Sequence, residues 1–159
     1  MNEAFLPDYP APASVRVRPK QRTKVSTAVS GKMQSRLYGG QSYAVSLSYN
    51  PMRRDQASAL IAFLHEMQGR HGIFRVKLPH LSGEEGQVIG NFVNFSDDSK
   101  LHMITGVGPL TVMPAPRVGG GIVDPDGPYL RCSLVRDAQE ISLERNGLIR
   151  LEIDLIERL

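Results

Sequence analysis

Residues 37–79, LYGGQSYAVSLSYNPMRRDQASALIAFLHEMQGRHGIFRVKLP, decide the fold. In residues 43–49, Tyr43, Val45, Leu47 and Tyr49 share one face of an extended chain while Ala44, Ser46 and Ser48 share the other, the signature of a half-buried strand. Asn50 offers an N-cap oxygen and Pro51 suits the first helical position, so a helix is expected over 51–68. Ala57, Leu60, Ile61 and Leu64 recur at helical spacing, with Phe63 and Met67 widening the stripe. Gly69 and Gly72 can end the helix in the left-handed conformation, after which Phe74, Val76 and Leu78 alternate with Arg75 and Lys77. The order is strand, helix, strand.

Working outward, the C-terminal stretch repeats the alternation. Ile149, Leu151, Ile153 and Leu155 face one way and Arg150, Glu152 and Asp154 the other, which predicts a long strand of the main sheet. Upstream, residues 5–13, FLPDYPAPA, are proline-rich, and an extended N-terminal arm over 1–14 is expected, with few donors for its own sheet and free to lie on something else. A turn at Ser30-Gly31 leads into a short strand, and Gly39-Gly40 is expected as a hairpin turn into the aromatic strand. After Pro79 turns crowd together: Ser82-Gly83, Gly86, Gly90 and 96–99. Short strands are expected at 87–89, 101–105, 110–113, 121–124 and 129–134, and residues 80–137 are expected to form a small β-rich insertion between core segments 15–79 and 138–159.

Composition narrows the classes. A chain of 159 residues, 41% of them hydrophobic, can bury one core. No apolar run reaches the roughly 18 residues of a membrane span, and residues 1–10 lack the pattern of a signal peptide, so a soluble, unprocessed protein is expected. Cys132 is the only cysteine, which excludes an intramolecular disulfide. The net charge of +3 hides an asymmetry. Arg16, Arg18, Lys20, Arg22 and Lys24 all occupy even positions, placing cations on one strand face, and no acid occurs between Tyr9 and Arg54. From Asp137 onward acids dominate, with Glu152 and Asp154 on the polar face of the closing strand. These seven residues are the subunit-interface candidates.

No catalytic constellation is apparent. His65, His71, His80 and His102 match no metal-ligand spacing and are expected as ordinary surface or half-buried histidines. Cys132 sits among alternating apolar residues as a small core side chain. Glu84-Glu85 and Asp97-Asp98 lie among turns, where solvated loop charge is the default, and Gly119-Gly120-Gly121 lacks the lysine and helix of a phosphate-binding loop. No cofactor is expected. Nucleic-acid binding by the basic block is the runner-up, weakened by the lack of aromatic residues in 15–32. An enzyme whose site converges within 80–137 is the remaining alternative.

The Gly-rich turn, the alternating aromatic strand, the helix with Phe63-Leu64 near its end, the GRHGIF of 69–74 and the closing Leu78-Pro79 resemble the distal tail proteins of long-tailed bacteriophages and the lambda-type minor tail protein M family. The resemblance covers about half the chain, residues 30–79 and the final strand. It implies a mainly β fold, a tail-tube-like β-barrel or sandwich with one flanking α-helix, and a non-enzymatic virion component. It further implies a ring, six copies by that resemblance, joining the tail tube to the tip or baseplate hub, with tube, hub and tape measure proteins as partners and no membrane. The insertion at 80–137 departs from the shortest members.

Overall fold

The computed structural model describes residues 3–78, 81, 87–117, 119 and 121–159. His80, Ser82-Gly83, Glu84-Glu85 and Gly86, all singled out from sequence, lie outside them, as does the middle of the triple glycine. The fold is mainly β with a single α-helix among the described residues. In chain order the strands are β1 (Ser14–Lys20), β2 (Thr23–Thr27), β3 (Met33–Leu37) and β4 (Ser42–Ser48), then helix α1 (Arg54–Glu66) and β5 (Phe74–Lys77). There follow β6 (Phe92–Phe95), β7 (Asp98–Gly106), β8 (Thr111–Met113), β9 (Tyr129–Leu134), β10 (Ile141–Leu143) and β11 (Ile149–Glu157).

The main sheet has the order β1-β4-β11-β9-β5, all antiparallel, with β10 added to the start of β11. The alternation foreseen in the two most regular strands decides which side is inner. Tyr43, Val45 and Leu47 of β4 and Ile149, Leu151, Ile153 and Leu155 of β11 are all buried. One slip of register would turn every one of them outward, so the pairing is strongly specified. Two elements cover this inner face. The helix brings Ala57, Leu60 and Leu64, and sets Phe63 edge-on to Phe74 with ring centres 5.3 Å apart. The β6-β7-β8 sheet brings Phe92, edge-on to Tyr43 at 5.5 Å, and Leu101. One hydrophobic core results.

Several expectations are corrected. The helix starts at Arg54 and not at Pro51, because Met52 exchanges backbone hydrogen bonds with Ile149 (3.0 and 2.8 Å) and holds the chain extended. Gln56 then accepts from the Arg53 N–H at 3.1 Å. Gln68 (φ 51°) and Gly69 (φ 66°) take the left-handed conformation that ends the helix, whereas Gly72 does not. Residues 87–89 form no strand but lead into a turn closed by Asn91 donating to the Val88 carbonyl (3.1 Å), and 121–124 contribute only a bridge between Val123 and Phe95. The insertion is smaller than its expected bounds, because β9, within 80–137, is an interior strand of the main sheet. The described part of the N-terminal segment, expected to have few donors for its own sheet, joins that sheet. Leu6 donates to the Arg75 carbonyl (2.8 Å) and the Arg75 N–H to Ala4 (2.9 Å), a parallel addition to the β5 edge. Glu3 clamps it there, between Arg131 (2.7 Å) and Arg75 (3.2 Å).

Candidate functional site

The Gly39-Gly40 pair does not turn the chain back. β3 runs on into β4, opposite β2 and β1, so that the two segments form one long ribbon. Its far half is the β2–β3 hairpin, closed at Ser30-Gly31 by Ala28 donating to Lys32 (2.9 Å) and by Gly31 at φ 79°. The pairing shifts between Lys20↔Ser42 and Thr23↔Leu37, which leaves the residues from Tyr38 to Gln41 opposite only Gln21 and Arg22. Gly40, at φ 77°, supplies the backbone freedom this irregularity requires. Beyond it every residue from Gln21 to Gly40 is exposed. The hairpin is an arm that stands off the body, reaching roughly 23 Å past Lys20 at about 3.3 Å per residue.

The arm has two unlike faces. Register places Lys24 directly opposite Arg36, and Arg22 and Tyr38 continue that face, with the Arg36 guanidinium 5.6 Å from the centre of the Tyr38 ring. Like charges directly opposite each other destabilise a strand pair. On the other face Val25, Met33 and Leu37 are each more than half exposed, and Val29 at the tip is fully so. An isolated two-stranded hairpin is marginal in water even without these burdens.

At the opposite end of the ribbon, the outer face of the main sheet carries acids beside arginines. Glu152 is exposed on β11, and with Glu140, Ser142, Ser48 and Arg136 it lines a groove of about 360 Å³ beside β10. Arg150 also reaches the groove but is paired with Glu144. Two of the expected interface residues are already joined within the chain: Arg18 donates to the Ser46 hydroxyl (2.7 Å), which donates to Asp154 (2.6 Å). Arg16 and Lys20 extend the cationic face of β1 and are exposed; Arg22 and Lys24 belong to the arm.

The remaining polar residues that sequence placed in solvent are partly a structural cluster. Asp98 is buried and ion-paired to Arg117 (2.6 Å), correcting its reading as loop charge; Asp97 is exposed as expected. Burial pushes the Asp98 carboxyl up, but hydrogen bonds from the Arg117 guanidinium and the N–H groups of Lys100 and Arg117 outweigh that and hold it well below the usual carboxylate range. His102, expected at the surface or half-buried, is fully buried, its Nδ1 2.6 Å from the Pro114 carbonyl and its Nε2 3.4 Å from Asp98. Glu157 is buried too, accepting from Lys100 Nζ (2.9 Å) and from the N–H groups of Leu101 (2.9 Å) and Tyr43 (3.1 Å). Asp98, His102 and Glu157 are thus buried, while the Arg117 side chain is part exposed. His65 and His71 are exposed. Cys132 is buried, and burial, with a further push from Glu157 and Glu3, raises its thiol far above the ordinary value, so it is inert at neutral pH.

Sequence reasoning missed Lys100, Arg117 and Glu157, and missed Tyr38 as a partner for the cations. Only the last had a visible signal, since Arg36 and Tyr38 are two apart on a strand. Among the described residues no group of three or more His, Cys, Asp or Glu could hold a metal, and no helix is long and apolar enough to cross a membrane. No protein-family model matches the chain, and a search of curated proteins finds no match.

Proposed function

We propose that this protein is a structural assembly subunit, a distal tail ring protein that joins the tail tube of a long-tailed phage to its tip hub. The observation that carries an assembly role is the arm. A hairpin with unshielded apolar side chains on one face and opposed cations on the other gains its stability only when a surface covers it. The class of assembly comes from the sequence resemblance over 30–79 and the closing strand. By it the partners are further copies in a ring, six by that resemblance, the tube protein and the hub, with the tape measure protein within reach. The role needs no cofactor and no catalytic site. Cryo-electron microscopy of intact particles tests it: a ring of this chain at the tube end supports the reading, and a particle lacking the chain there removes it.

One observation favours a second reading. Tyr38 shares the cationic face with Arg22, Lys24 and Arg36, restoring the aromatic component that a nucleic-acid surface uses for stacking. Retention on duplex or single-stranded DNA that falls steeply between roughly 50 and 200 mM salt would favour a DNA-binding accessory protein.

A further inference from the structure

The cationic arm and the acidic groove lie at opposite ends of one continuous ribbon. Ser48, which lines the groove, pairs with Ser14 at the near end of β1; Lys20 pairs with Ser42, and the arm continues beyond Lys20 through Thr23↔Leu37 to Thr27↔Met33. The ribbon is stiffened by its pairing along most of its length, so the arm cannot fold back onto its own groove. Yet the two are complementary. Arg22, Lys24 and Arg36 present charge without a carboxylate partner among the described residues, and the groove offers Glu140 and Glu152, likewise free of any ion pair among the described residues, with Asp154 held by Ser46, against Arg136 and the Glu144-paired Arg150.

We propose that the arm of one copy docks, cationic face down, into the β10–β11 groove of the next copy. Two different patches on identical chains then meet, a heterologous contact that propagates head to tail and closes into a ring when the rotation per step allows. This inference rests on the assembly reading and names the partner of the arm: a second copy of this chain. Opposite charge at the two ends gives direction and suppresses arm-to-arm and groove-to-groove encounters, because each of those would bring like charges together.

Two single-cysteine additions test it, with Cys132 buried and inert in both. Gln34→Cys places a thiol on the cationic face of the arm, and Ser142→Cys places one in the groove. Mixed at high protein concentration and low salt, the two variants are expected to form a disulfide-linked dimer at least about tenfold faster than either variant alone, the bias expected of complementary over like-charge encounters. Lys24→Glu with Arg36→Glu in the arm should abolish that advantage without moving the melting temperature, and Glu140→Lys with Glu152→Lys in the groove partner should restore it. Equal cross-linking of Gln34→Cys with itself, no cross-linking in the mixture, or charge reversal that leaves the yield unchanged each overturns the proposal. So does charge reversal that removes DNA retention while the cysteines never link. Failure of the tail reading is distinguishable: cross-linking in solution without a ring on particles leaves the contact standing, whereas rings on particles whose paired cysteines stay reduced under oxidant overturn the contact alone.

Discussion

A carboxylate withdrawn from water is tolerated only when its lone pairs are filled, and Glu157 is filled by Lys100 and by the backbone of Leu101 and Tyr43. That one side chain ties the end of β11 to the start of β4 and to β7. Lys100→Met leaves the carboxylate buried with part of its shell missing, and should cost roughly 3 kcal/mol, the lower end of what breaking a buried pair costs. Adding Glu157→Gln should return a part of it, and urea melts of the four proteins in the cycle would measure the coupling. Asp98 makes a different prediction, about pH. Its folded-state pKa lies below its unfolded value of about 3.9, so its contribution to stability is complete above that value and is lost as pH falls through the folded value. Stability should therefore drop on acidification below about pH 4, and Asp98→Asn should be less stable at neutral pH with a flatter acid limb in chemical melts run from pH 5 to 2. An acid limb unchanged by the substitution would dissociate Asp98 from it.

At the level of elements, β11 and the arm are opposites. Ile153 is fully buried between β4 and β9, so Ile153→Asp sets an unpaired charge in the core and should leave no cooperative unfolding transition by circular dichroism. The arm contributes no buried residue. Replacing residues 23–37 by a short turn should shift the melting temperature by only about 2 °C, and amides of β2 and β3 should exchange with solvent within seconds while those of β11 persist. A large loss of stability on trimming the arm would show that it packs against the body. These contrasts mirror what could be read from sequence. Strands β4 and β11 were legible because a period of two with one buried face is the strongest local signal a strand can carry. The helix start was not, because what delays it is a backbone pairing between Met52 and Ile149, far apart in the chain. Gly39-Gly40 misled because the irregularity in a ribbon and the turn of a hairpin call for the same backbone freedom. The even-numbered cations were legible as a face, but not that Arg22 and Lys24 would project on an arm. The burial of Asp98, His102 and Glu157 had no local signature at all, since each is satisfied by residues that only the tertiary fold brings near.

For the whole molecule, the consequence of the Glu3 clamp concerns growth. An open sheet has two sides on which another strand could be added, and any protein that exposes both can polymerise without limit. Here Ala4 to Leu6 seal the β5 side, with Glu3 latched to Arg75 and Arg131, and β1 is left as the bare margin among the described residues. The N-terminal segment thus works as a stopper. Removing residues 1–6 strips away only a short peptide and one core leucine, but it converts a molecule with one sticky side into one with two. Light scattering of the truncated chain should grow with time and concentration while its secondary structure is retained, and thioflavin fluorescence should rise with it; a truncated chain that stays monodisperse would mean that the β5 side is blunted by something other than its own first residues.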